Sequence, residues 1–70
     1  MQFTTEFGDR LACYRRRTGM TQDALAARLG VSAQAVSKWE PAVCCPDISL
    51  LPALADTFGI SIDLLFGRSA

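Results

Sequence analysis

The stretch that most limits what this chain can fold into is Thr21 to Glu40, TQDALAARLGVSAQAVSKWE. Leu25 and Leu29 are four residues apart, with Ala26 beside them, so a helix here has one apolar, close-fitting face. Thr21 suits an N-cap, and Asp23 places negative charge in the first turn. Gly30 follows the last periodic residue, where a left-handed backbone closes the helix without strain. Ser32 caps another helix only two residues later, so the link must turn sharply. In that next helix Val36 and Trp39 point inward. At about 100° per residue, Gln34, Ser37 and Lys38 point the other way, with Ala33 and Glu40 on the flanks. Pro41 stops the helix by biasing Glu40 away from helical dihedrals. The unit is therefore two short helices at a preset angle, the second with a small polar outer face.

The rest of the chain reads as helices packed around this unit. Phe7, Leu11 and Tyr14 share one face of a first helix, which Thr4 or Thr5 caps. Arg15, Arg16 and Arg17 complement its negative end, and Gly19 closes it. Residues 41–46, PAVCCP, are a loop with a proline at each end. Asp47 caps a fourth helix carrying Ile48, Leu51, Leu54, Ala55 and Phe58, with Pro52 near its start and Gly59 after it. Ser61 caps a short fifth helix, IDLLF, closed by Gly67. No alternating strand pattern appears. The expected fold is all-α, five helices in a single domain over residues 1–70, with its core at about 7–67.

Composition narrows the function. Half of the 70 residues are apolar and 20% are charged, which suits a small globular domain. No apolar run reaches the roughly 18 residues a membrane span needs. The first residues, MQFTTEFGDR, lack both the basic and the apolar region of a signal peptide. Cys13, Cys44 and Cys45 are an odd number, so reduced thiols in a cytoplasmic protein are expected. There is no histidine, and three cysteines fall short of the four ligands zinc usually takes, so neither a metal nor another cofactor is expected. With no serine–base pair, Gly-rich phosphate loop or paired carboxylates, the chain is not expected to be an enzyme or to take a small-molecule substrate. Net charge is zero but uneven. Residues 1–40 carry six cations against four anions, and residues 41–70 one cation against three. The basic half holds the two-helix unit.

Thr21-Gln22, Leu25-Ala26, Leu29-Gly30-Val31-Ser32, Val36-Ser37-Lys38-Trp39-Glu40 and Pro46-Asp47-Ile48 closely resemble the Cro/phage-repressor helix-turn-helix domain, also called the xenobiotic-response-element regulator family. Ile60-Ser61-Ile62-Asp63 and Leu65 resemble its closing helix, so the likeness runs from about Phe7 to Gly67. It implies a lambda-repressor-like five-helix fold in which helices 2 and 3 form the helix-turn-helix. It also implies a sequence-specific double-stranded-DNA-binding domain of a bacterial or phage-type transcriptional regulator. Such a domain usually binds a palindromic operator as a symmetric dimer, with helix 3 in the major groove.

The resemblance also implies roles by position. Ala33, Gln34, Ser37 and Lys38 match base-contacting positions. Thr21, Gln22 and Ser32 match phosphate contacts, and Arg16 and Arg28 are further candidates. Arg15 and Glu40 match a pair that joins helix 1 to the end of helix 3. A solvated role stays open for Arg16, Arg17 and Arg28. Two departures stand out. Relatives often have an Asn-Gly pair where this chain has Pro41-Ala42, and often carry cations in the following loop, where residues 41–46 have none. Leu64 sits where relatives are mostly polar, which suits a contact with a second subunit through helices 4 and 5. Neutral charge and this leucine also fit an alternative: a protein-interaction or dimerisation module, or a DNA-binding antitoxin component, on the same fold.

Overall fold

The computed structural model describes residues 5–67. Five α-helices follow one another: α1 Thr5–Arg17, α2 Gln22–Leu29, α3 Ala33–Trp39, α4 Leu51–Phe58 and α5 Ile62–Leu65. No strand occurs among the described residues. The fold is the all-α, five-helix arrangement that the capping pattern calls for.

The caps form as their side chains dictate. Thr21 accepts from the Ala24 N–H, Ser32 from the Ala35 N–H and Ser61 from the Leu64 N–H, each satisfying a donor that a helix start leaves unmatched. Gly30, at φ 73°, closes α2 with its own N–H on Ala26 and Ala27. Thr5 already lies inside α1, and Thr4, the other cap expected there, lies outside the described residues. Phe7, Leu11, Leu25, Ala26, Val36, Trp39, Leu51, Leu54, Phe58 and Leu65 meet in a single core. Burying each large apolar side chain contributes about 1.5–3 kcal/mol. The Phe7 and Phe66 rings lie 5.0 Å apart, tying α1 to the end of α5. Tyr14 stacks on Phe58 at 5.8 Å and stays half-buried, less enclosed than a core tyrosine.

Ile48 departs from expectation. Its spacing to Leu51 suggests an inward position in the fourth helix, yet it is 66% exposed. The cause is a 3-10 turn over Ile48–Leu50, which Asp47 caps through the Ser49 N–H at 3.0 Å. A 3-10 turn advances three residues per turn, so the periodicity that places Leu51 inward no longer carries back to residue 48. Pro52 then falls in the first turn of α4, where a missing N–H costs no hydrogen bond. No helix among the described residues is long and apolar enough to cross a membrane.

Candidate nucleic-acid interface

The angle between α2 and α3 is set by a link of three residues. Gly30 turns left-handed, Val31 donates its N–H back to Ala26 at 3.0 Å, and Ser32 starts α3 in extended backbone. Buried Leu25 and Ala26 on α2 and buried Val36 and Trp39 on α3 belong to the same core cluster. The two helices are therefore one rigid element, and whatever α3 exposes is presented in a fixed attitude.

That exposed face holds Gln34, Ser37 and Lys38. Ser37 donates its hydroxyl to the Gln34 carbonyl at 2.8 Å, so its oxygen is left as an acceptor. Gln34 offers both amide donors and an acceptor, which matches the paired edge of adenine, and Lys38 offers a cation. Ala33 is half-buried and packs partly against the core, so only part of its methyl faces outward. Thr21 and Ser32 lend their oxygens to the caps and keep a hydroxyl hydrogen to donate. Arg16 and Arg28 are exposed, in the last turns of α1 and α2.

At the end of α3 lies one polar cluster. Arg15 donates through Nε to Glu40 Oε2 at 2.6 Å and through Nη2 to Oε1 at 3.2 Å. Its Nη1 donates to the Met20 carbonyl at 2.9 Å, just before the Thr21 cap. The two side chains are only 12% and 9% exposed. The bond to Glu40 pushes the guanidinium pKa up; desolvation opposes this, and the carboxylate's charge adds to it. The pair expected from the sequence is thus present, and a third member joins it. Gln22 Nε2 donates to Glu40 Oε1 at 3.1 Å. Sequence reasoning gave Gln22 to a phosphate and missed this partner. The start of α2 and the end of α3 are 18 residues apart and meet only in the folded chain.

The loop after α3 spends three of its N–H donors on the end of that helix. The N–H of Ala42 goes to the Trp39 carbonyl, and those of Val43 and Cys44 go to Lys38. This closure requires Ala42 at φ 64°, a left-handed conformation that a β-carbon disfavours. With Pro41 lacking an N–H and no cation in 41–46, the loop offers little to a phosphate. Cys13, Cys44 and Cys45 are exposed free thiols.

A family model described as a helix-turn-helix domain matches residues 6–65. An HTH-type transcriptional activator, BcrR, of Enterococcus faecalis is 37% identical over 60 residues, 86% of this chain and 29% of the relative. A prophage-derived uncharacterized HTH-type transcriptional regulator, YonR, of Bacillus subtilis (strain 168) is 36% identical over 59 residues, 84% of this chain and 55% of the relative. The chain thus spans between about a third and about half of the length of these curated relatives. Among solved structures, the P22 c2 repressor in complex with a synthetic operator superposes with a TM-score of 0.82 at 32% identity, covering 90% of this chain and 96% of that one. A transcriptional regulator from Listeria innocua superposes with a TM-score of 0.82 at 30% identity, covering 91% of this chain and 60% of that one.

Proposed function

Because the chain belongs to the helix-turn-helix domain family, with the P22 c2 repressor among its relatives, we propose that it is the sequence-specific double-stranded-DNA-binding domain of a transcriptional regulator. The observation that carries this reading is the superposition on a repressor solved with its operator, over nearly all of that repressor chain. Helix α3 enters the major groove, and α2 lies across the backbone. Ala33, Gln34, Ser37 and Lys38 contact bases. Thr21, Gln22, Ser32, Arg16 and Arg28 contact phosphates, which position the domain without reading sequence. The domain acts by binding and not by catalysis, in the cytoplasm.

A zero net charge supports only weak binding by one copy, so useful affinity comes from two copies on a palindromic operator, about one helical turn apart. Leu64, 38% exposed on α5, supports a homodimer contact on that side of the domain. The decisive experiment is a DNA titration at several salt concentrations. Log affinity should fall with log salt with a slope of about −0.9 for each phosphate neutralised by a cation. A slope of zero sinks the DNA reading. The exposure of Val43, Ile48 and Leu64 favours the second reading, a protein-interaction module, which would then stand in its place.

A further inference from the structure

We propose that Glu40 is a positioning residue that turns the Gln22 amide so that it can donate to a DNA phosphate. This rests on the DNA-binding reading above and adds a mechanism to it. A carboxylate only accepts hydrogen bonds, so Gln22 must meet Glu40 with its nitrogen and not with its oxygen. The 3.1 Å contact from Nε2 to Oε1 uses one of the two amide hydrogens. No other hydrogen bond of the Gln22 side chain occurs among the described residues, and Gln22 is only half-buried. The second hydrogen is left for an acceptor outside the chain, and a phosphate oxygen is such an acceptor.

The orientation is inherited from α1. Arg15 holds Glu40 through two nitrogens and holds the Met20 carbonyl through a third, so the carboxylate is fixed before it meets Gln22. A free glutamine would present nitrogen or oxygen to a phosphate, and the oxygen would be repelled. Glu40 removes that choice in advance.

The test uses Glu40→Gln, which keeps the shape and still lets Arg15 bond to an amide oxygen. Arg15 is donor-only, so it draws the oxygen of the substituted amide to itself. The nitrogen of that amide is then left facing Gln22, whose own amide must turn round. In the free protein, the side-chain NH2 signals of Gln22 should exchange more slowly than those of exposed Gln34. That protection should disappear in Glu40→Gln. Unchanged Gln22 signals overturn the proposal. Affinity is then measured for a random-sequence duplex at low salt, since phosphate contacts carry no sequence information. Gln22→Ala and Glu40→Gln should each weaken binding about tenfold, and the double variant also about tenfold. A merely structural Glu40 would weaken binding equally in the Gln22→Ala background, giving about a hundredfold loss, and that result also overturns the proposal. If the unaltered domain fails to bind the duplex, the DNA reading falls and the phosphate role falls with it. The amide signals still report the orientation, so the two failures are told apart.

Discussion

Gly8 lies so close to Trp39 that a β-carbon on it would stand 2.8 Å from the Trp39 carbonyl oxygen, with the Glu40 carbonyl nearer still. Both obstacles are backbone, so no rotamer change relieves them. Here α1 presses directly on the end of α3. Gly8→Ala should gain helix propensity yet lose about 1–3 kcal/mol overall, because the two helices must part. Thermal unfolding checks the loss. An Ala variant that melts at or above the wild-type temperature would show that the two helices do not press on each other here.

Ala42 holds the opposite kind of strain. Its left-handed backbone costs an alanine about 1–2 kcal/mol, which a glycine does not incur. Glycine in turn loses more chain entropy on folding. Ala42→Gly should therefore stabilise the domain by about 0.5–1 kcal/mol and raise its melting temperature by a few degrees. Ala42→Val should do the reverse, since a β-branched residue tolerates that conformation least.

Arg15→Met removes the guanidinium and leaves the nearly enclosed Glu40 carboxylate with Gln22 alone. The expected loss is about 2–4 kcal/mol in chemical denaturation, because the remaining charge stays poorly hydrated. Arg15→Lys should recover only part of it, since one ammonium cannot reproduce the fork on Glu40 together with the bond to Met20.

Asp47 gives the stability an acid limb. The Ser49 backbone N–H, and then the Ser49 side chain, hold its pKa below the ordinary 3.8. A carboxylate depressed in the folded state contributes stability above its unfolded pKa and loses it as pH falls through the folded value. Stability should therefore decline below about pH 4, and Asp47→Asn should decline less steeply over the same range. Parallel curves for the two proteins would remove Asp47 from the account.

Gln34→Ala should leave folding unchanged and relax base preference at one operator position by about 1–3 kcal/mol, read by selecting bound sequences from a random pool. An identical sequence profile for variant and wild type would show that Gln34 does not read a base.

Helices α2, α3 and α5 were legible because each begins at a side chain with a local partner. The stop expected for α3 was not, since Glu40 before Pro41 keeps helical dihedrals (φ −64°, ψ −43°). Thr21, Ser32 and Ser61 cap within three residues, and Gly30 closes α2 on its own turn. Ile48 was not legible, since nothing in the spacing tells a 3-10 turn from the first turn of an α-helix. The Arg15–Glu40 pair came from family resemblance and is present at 2.6 Å. The Gln22–Glu40 bond was out of reach for another reason. It depends on where two helix ends arrive in space, and neither periodicity nor capping encodes that.

The two-faced α3 makes the domain modular at the level of single residues. Val36 and Trp39 hold the helix in place from within, while Gln34, Ser37 and Lys38 are exposed. Exposed substitutions away from caps and strained backbone usually change stability by no more than about 0.5 kcal/mol. Stability and outward chemistry are therefore nearly independent variables on one seven-residue helix. A library randomised at positions 34, 37 and 38 should keep a narrow spread of melting temperatures while its members diverge in what they recognise. This scaffold can change its target without being rebuilt.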